Sequence, residues 1–259
     1  MKNIDSEEEM KRYDLAYSGL PETKVGSTDA GIFSSQLRQF EKVIAENISD
    51  GMSVLELAAG DGEYSKYMFN TSTKNIITDI SMKGLKLIED FVDENNIKAQ
   101  VEFVNCDMQS LPFVCEKFDA VVMAKSLSYG NKNSISEEVN RVLKDKGVFI
   151  VFDQIFNNPI YSFNRWIKYK NGSITKSSFI NRPKIKDLRL IARSFSDFQY
   201  TTYGVLFFLY PIIRSLMNAS TFSRFCDRFE SRFPIFKSFG FTVVAVYYKQ
   251  KVLHENMDC

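Results

Sequence analysis

The stretch Val54-Leu55-Glu56-Leu57-Ala58-Ala59-Gly60-Asp61-Gly62 decides the fold. A short apolar run ends in a Gly-Asp-Gly turn, and from Glu63 the pattern becomes helical, so the segment reads as strand, glycine turn, helix. The same alternation continues downstream. Asn75-Ile76-Ile77-Thr78-Asp79 is a second strand, and Lys83 to Asn95 is a helix with Leu85, Leu87, Ile88, Phe91 and Val92 turned inward. Val101 to Val104 is a third strand. Phe118 to Ala124 is a fourth, apolar enough to be buried on both faces. Ile135 to Leu143 is helical and Gly147 to Phe152 is a fifth strand. Strands alternating with helices at this spacing predict an α/β fold with a parallel sheet and right-handed crossovers.

Outward from this core the patterns differ. Residues 1–50 read as a mostly exposed helical cap, with Phe33, Leu37, Phe40, Val43 and Ile44 at helical spacing. After Asp153 the alternation stops. Asn157 to Gly172 reads as one aromatic and basic helix, Lys184 to Phe195 as another, and Phe198 to Tyr203 as a strand. Val205 to Met217 is very apolar, Phe222, Phe225, Phe229 and Phe233 recur beside Arg224, Arg228 and Arg232, and Phe241 to Tyr248 is the last strand. Three regions result: a cap over 1–50, a core over 51–155, and a substrate-side or lid region over 156–259 with a helical insertion before the last strand.

Composition excludes several classes. With 259 residues, 44% apolar and 25% charged, the chain is neither disordered, collagen-like nor a coiled coil. It has no run of 18 uncharged apolar residues, which argues against a transmembrane span, and its acidic start does not read as a secretory signal. Four scattered cysteines (Cys106, Cys115, Cys226, Cys259) read as reduced thiols of a cytoplasmic protein. The one histidine, His254, lies in the tail, which argues against a Ser-His-Asp triad and a Cys/His zinc site. Net charge is +1, yet Pro159 to Cys259 carries 16 Lys and Arg against 6 Asp and Glu. That asymmetry fits either a solvated basic face or an anionic partner.

In an open parallel sheet, ligands sit at the carboxyl ends of the strands near the point where strand order reverses. Gly60 and Gly62 let the backbone approach a ligand closely. Asp79, at the end of the second strand, can accept two hydrogen bonds from ribose hydroxyls. Ser65 stands where a dinucleotide fingerprint has its third glycine, which argues against a pyrophosphate. Glu56, inside the first strand, has no use beside a pyrophosphate but suits a cofactor carrying an ammonium group.

With these motifs in order, the sequence resembles the class I S-adenosylmethionine-dependent methyltransferases of small-molecule type (methyltransferase-11/25-like). The likeness covers about residues 50–155. It rests on the glycine motif at 54–62, Asp79, Cys106-Asp107-Met108 with Leu111-Pro112-Phe113 and Phe118-Asp119, and the segment Glu138 to Gly147 before the fifth strand. Ala58 departs from the glycine frequent there, and Tyr129 stands where many small-molecule members carry histidine. The resemblance implies a Rossmann-like, mostly parallel seven-stranded sheet flanked by helices. It also implies S-adenosyl-L-methionine as cofactor. Glu56 would lie near the methionyl ammonium, with Ala58, Gly60 and Gly62 along the methionine moiety. Asp79 would hold the ribose and Ile80 would pack on adenine. Asp107 would accept from the adenine amino group, Met108 would pack on the ring, and the Ala124 backbone would lie near the sulfonium.

The transfer expected is an in-line displacement without metal, since Ala124-Lys125-Ser126 offers no acids after the fourth strand. Asp153 and Tyr129 are the polar groups best placed to act as a base or to orient the acceptor. The expected acceptor is a small molecule, methylated on oxygen: a natural product, a glycan or a lipid- or quinone-like compound. Nucleic acid is not expected. Asn157-Asn158-Pro159-Ile160-Tyr161 only superficially resembles the Asn-Pro-Pro-Tyr box of base-methylating enzymes. A nucleic-acid or protein methyltransferase, or a catalytically silent cofactor-binding protein, are the other readings. Residues 205–236 are open to three readings: a lid over the site, a homodimer contact, or a peripheral membrane contact.

Overall fold

Seven strands form one sheet: β1 Ser53–Leu57, β2 Lys74–Asp79, β3 Gln100–Asn105, β4 Phe118–Ala124, β5 Leu143–Gln154, β6 Asp197–Tyr203 and β7 Thr242–Tyr248. Their order is β3-β2-β1-β4-β5-β7-β6. β1 to β5 run parallel, and β7 is antiparallel to both β5 and β6. The computed structural model describes residues 6–18, 31–69, 73–172 and 176–250; the tail holding His254 and Cys259 lies outside them. The helices are α1 Ser6–Tyr17, α2 Ser34–Asn47, α3 Lys66–Phe69, α4 Met82–Glu94, α5 Lys132–Val142, α6 Pro159–Lys170, α7 Lys176–Ile180, α8 Ile185–Ile191, α9 Tyr210–Ile213 and α10 Ala219–Arg232. The expected Rossmann-like, mostly parallel seven-stranded fold is the one present.

The period-2 alternation of side chains divides the core into two layers. Leu55 and Leu57 of β1, Val121 and Met123 of β4 and Phe149 and Val151 of β5 pack with Ile135 and Val139 of α5 and Leu188 of α8. On the opposite face, Val54, Val122, Ile150 and Phe152 pack with Leu37, Phe40 and Ile44 of α2. Phe40 is fully buried and stacks on Phe152 with ring centroids 5.0 Å apart. The central strands are therefore covered on both faces, as a parallel sheet requires.

Several local expectations are corrected. The helix expected from Glu63 begins only at Lys66, because residues 59–68 close successive three-residue turns (Gly62 N to Ala59 O and Ser65 N to Gly62 O, both 3.1 Å). β5 begins at Leu143, where a helix end was expected, because Leu143 pairs with Phe118 across an irregularity in the β4 register. α8 stops at Ile191, and the chain enters β6 at Asp197 to pair with Tyr248. Cys106 and Cys226 carry free thiols. Cys115 is disulfide-bonded, against the expectation that all four would be reduced.

Between β6 and β7 the chain makes a helical insertion that includes α9 and α10. Its buried side packs through Phe207, Phe222 and Cys226 onto Phe156 and Tyr161 of the segment after β5. Glu230 of α10, 3% exposed, anchors the start of the insertion by accepting from the Gly204 and Val205 amides, both at 2.8 Å. Burial pushes its carboxyl up to about 7, and the two amides oppose that shift. Glu230→Ala would leave both amides unpaired. The expected loss is about 3 kcal/mol, or roughly 6–12 °C in Tm by thermal denaturation, with Glu230→Gln losing about half as much.

Candidate functional site

Strand order reverses between β1 and β4, whose carboxyl ends open on a cavity of about 390 Å³. Its floor is the turn after β1. Gly60 (φ 63°) and Gly62 (φ 82°) adopt left-handed backbone there, as does Ala58 (φ 52°), a conformation that costs a non-glycine residue about 1–2 kcal/mol. Lys125, just past β4, is also left-handed (φ 54°), and its N–H donates to the Phe152 carbonyl at 2.7 Å. Non-glycine residues in this conformation therefore sit at the tips of both strands that flank the switch point.

Asp79 forms one wall. Its two carboxylate oxygens accept from the Gly60 and Ser81 amides, each at 2.7 Å. Burial raises its carboxyl above the ordinary value, and these amides oppose the rise. At the end of β3, Asp107 accepts from the Gln109 amide at 2.9 Å, and the Gln109 side chain in turn accepts from the Asn131 amide at 2.8 Å. Ile80, Met108, Ala58 and Ala124 supply apolar surface.

Glu56 and Gly62 are not on the cavity wall. Glu56 is 3% exposed, and its Oε2 has no hydrogen-bond partner among the described residues. Burial pushes it up to about 8; the Ser65 hydroxyl opposes that shift and the Asp79 charge adds to it. The remaining expected cofactor residues, Ala58, Gly60, Asp79, Ile80, Asp107, Met108 and Ala124, all line the one cavity.

The two polar candidates for work on the acceptor are placed differently. Tyr129 lines the cavity at the end of a 3-10 turn, Leu127–Tyr129. Asp153 does not line it. Asp153 is 5% exposed, and its oxygens accept from the Leu127 amide (2.9 Å) and the Gln154 amide (2.6 Å). Burial pushes its carboxyl up to about 6, opposed by those amides and by Lys125 and Lys132. The Asn157-Asn158-Pro159 segment is structural: Asn158 caps α6 by accepting from Ile160 N at 2.9 Å, and Asn157 accepts from Ile185 N at 3.1 Å.

α1 is where sequence reasoning missed functional surface. It was expected to be mostly exposed, yet Glu9, Tyr13 and Tyr17 line the cavity. Ser81 donates to Asp14, and Tyr13 meets Tyr129 edge-on at 5.5 Å and stacks on Tyr17 at 5.7 Å. Arg12 lies 4.7 Å from the Tyr13 ring and 5.8 Å from the Tyr129 ring. The spacing of Tyr13 and Tyr17, four residues apart, was the one available signal; it marks a common helix face but not what that face covers. Among the described residues, no cluster of His, Cys, Asp and Glu has the arrangement of a metal site.

Residues 54–147 match the family described as "Methyltransferase domain". The chain is 29% identical over 170 residues to an uncharacterized protein of Methanocaldococcus jannaschii, covering 61% of each chain. It is 31% identical over 120 residues to the ubiquinone/menaquinone biosynthesis C-methyltransferase UbiE of Cellvibrio japonicus, covering 44% of this chain and 47% of that one. These alignments thus span about half to three fifths of the relatives' length. In fold, the chain is similar to a phosphoethanolamine N-methyltransferase of Haemonchus contortus solved with S-adenosyl-L-methionine, with a TM-score of 0.58 and 14% identity over 86% of this chain and 58% of that one. The family domain runs from β1 into the first residues of β5 and includes the glycine turn, Asp79 and Asp107. By domain and by sheet order, residues 54–147 and the sheet around them are similar to the class I S-adenosylmethionine-dependent methyltransferases.

Proposed function

We propose that this protein transfers the methyl group of S-adenosylmethionine to a small, largely apolar acceptor. The observation that carries the reading is the charge of the cavity. Among the described residues its wall holds five carboxylates, Glu9, Asp61, Glu63, Asp79 and Asp107, against the cation Lys125, 3.9 Å from Glu63, with Arg12 beside Glu9 at 2.8 Å. Such a wall disfavours a pyrophosphate and favours a ligand with a positive end. Glu56, buried behind the turn and protonated at neutral pH, is a further acid whose ionised form a cation would favour.

The residues fit the cofactor in kind. Asp79 would hold the ribose hydroxyls, Ile80 and Met108 the adenine faces, and Asp107 the adenine amino group. The backbone at Ala58, Gly60 and Ala124 would follow the methionine chain, with Glu56 behind the turn on the side of its ammonium. When bound, the cofactor supplies a methyl on a sulfonium whose leaving thioether is neutral, so the protein need not stabilise a leaving anion. Alignment then does most of the work and can contribute roughly 7–11 kcal/mol. Tyr129, on the wall, orients the acceptor. Asp153 is a positioning residue: its bond to the Leu127 amide fixes the turn that presents Tyr129.

The aromatic wall of Tyr13, Tyr17 and Tyr129 favours a ring-bearing or lipid-like acceptor. Transfer to oxygen is the first reading. The names of the UbiE relatives favour a second, carbon methylation of a quinone-related ring. The cytoplasm is the proposed place of action; no described helix is long and apolar enough to cross a membrane. A screen of metabolite and lipid extracts with methyl-labelled cofactor, read by mass shift and fragment ions, identifies the acceptor and its atom. No labelled product in any extract, together with no calorimetric binding of S-adenosylmethionine, would sink the reading.

Asp79→Ala removes the acceptor for the Gly60 amide as well as for the ribose. Calorimetry should show cofactor affinity about 10–100-fold weaker than wild type, the loss expected for hydrogen bonds to a charged group.

Glu56 predicts a pH effect. Its folded carboxyl keeps its proton up to about pH 8, whereas its ordinary value is 4.5. Between those values the unfolded chain binds fewer protons, so this group lowers stability as pH rises through that window. Without ligand, the wild-type Tm should fall relative to Glu56→Gln from pH 4.5 to 8 and then level off. Parallel melting curves for the two proteins across that range would contradict the assignment.

A further inference from the structure

Two segments leave the carboxyl end of the sheet on its β5-β7-β6 side: α6, which follows β5, and the insertion between β6 and β7. The register places Gln154, Thr242 and Tyr203 side by side there. The segments are joined beneath by Tyr161, whose hydroxyl donates to Gly204 O at 2.7 Å and whose ring lies 4.5 Å from Phe241, and by Asn158, which donates to Phe239 O at 3.2 Å. The two segments are therefore packed together at their bases, and both present outer surface at this end of the sheet.

That outer surface is apolar where a protein surface is ordinarily charged. Leu216 is 86% exposed, Ile235 79%, Ile212 73% and Phe163 59%. Phe163 stacks on Trp166 at 5.8 Å, both outside the core, and the Lys170 ammonium sits 5.9 Å from the Trp166 ring. Residues 231–239 are exposed without a break and include Phe233, Ile235, Phe236 and Phe239.

The charges on this outer surface have one sign. From Gln154 to Lys186 the sequence holds no Asp or Glu. From Val205 to Phe241 it holds two, and both are turned inward: Asp227 accepts from Ser35, and Glu230 from the Gly204 and Val205 amides. Arg214, Arg224, Arg228, Arg232 and Lys237 are all exposed, three of them four residues apart along α10. A face meeting a second copy of itself would set these cations against each other. A lid closing on the acidic cavity would satisfy the cations but leave Leu216 and Ile235 needing cover. Aromatic and aliphatic side chains projecting among cations suit a bilayer interface, where the rings enter the headgroup boundary and the cations meet anionic lipid.

We propose that α6 and the insertion dock the protein peripherally on an anionic lipid bilayer. The docking goes beyond the methyl-transfer reading and does not depend on it.

The test uses the full chain with vesicles of phosphatidylcholine, alone or mixed with phosphatidylglycerol. The expected result is co-sedimentation with the mixed vesicles only, weakened by salt. Trp166 is the single tryptophan, so its emission should shift to the blue on binding and be quenched by brominated acyl chains. Arg224→Glu, Arg228→Glu and Arg232→Glu together should lower the partition coefficient by about a hundredfold or more, at roughly fivefold per cation lost. As a guard against misfolding, Phe163→Ser with Ile235→Ser should weaken binding with the cations intact, and both variants should keep the wild-type affinity for S-adenosylmethionine or its demethylated product. A protein that binds neither cofactor form is compared by thermal melting instead, so failure of the methyl-transfer reading stays distinct from failure of the docking. Overturning results are wild type left in the supernatant at low salt, equal binding to uncharged vesicles, co-sedimentation without quenching of Trp166, or a lipid-independent dimer that alone shifts the Trp166 emission.

Discussion

The site depends on how closely the backbone at Gly60 can be approached. A Cβ on Gly84, in the first turn of α4, would fall 2.4 Å from the Gly60 carbonyl oxygen, and a Cβ on Gly60 would fall 2.8 Å from the Tyr17 hydroxyl. Gly84 has no room for a side chain against this backbone, and one on Gly60 would displace the Tyr17 hydroxyl, so the turn after β1 lies tight between α4 on one side and Tyr17 of α1 on the other. That packing brings the Gly60 amide to Asp79 and Tyr17 to the cavity wall. Acid, floor and cover are thus set by one contact. The left-handed Ala58 beside it is tolerated because its neighbours hold it: its carbonyl accepts from the Ser126 hydroxyl at 3.2 Å, and β1 is paired on both sides up to that point.

The buried carboxylates differ in what compensates them. Asp79, Asp153 and Glu230 each accept from two backbone amides at 2.6–2.9 Å, so their ionised forms are partly repaid within the protein. Glu56 Oε2 has nothing comparable, and the nearby Asp79 charge adds to its penalty. A buried acid left in that condition stays protonated at neutral pH unless a cation arrives. It is therefore the group whose protonation state is most sensitive to a positively charged ligand, while the other three hold turns in place.

Residues within β1 to β5 announced themselves because a strand buried on both faces needs an unbroken apolar run, and its carboxyl end is where side chains meet a ligand. Asp79, Asp107 and Met108 could be placed on the cavity from that rule alone. Tyr13 and Tyr17 could not. Their position depends on contacts between α1 and the start of α4, more than sixty residues away in sequence, through Asp14 and Ser81. Asp153 shows the opposite limit. Its location at the carboxyl end of β5 was legible, but its two amide partners and its absence from the cavity wall follow from the path of the turn at Leu127, which no pattern records. Glu230 gave no signal either, since an acid inside an arginine-rich helix reads as a surface charge until its amide partners are seen.

Charge asymmetry along the chain becomes spatial in the fold. The acids of the first part converge on the switch point between β1 and β4, where the cavity wall is negative. On α6 and α10, Lys168, Lys170, Arg224, Arg228 and Arg232 are exposed, while the two acids of α10, Asp227 and Glu230, are engaged internally. A purely solvated basic face would account for the arginines but not for Leu216 and Ile235 standing in water beside them, since burying such side chains is worth about 1.5–3 kcal/mol each. Their exposure makes sense if that burial is completed by something outside the chain, and the arrangement of cations limits what that can be to a surface that is both apolar and negative.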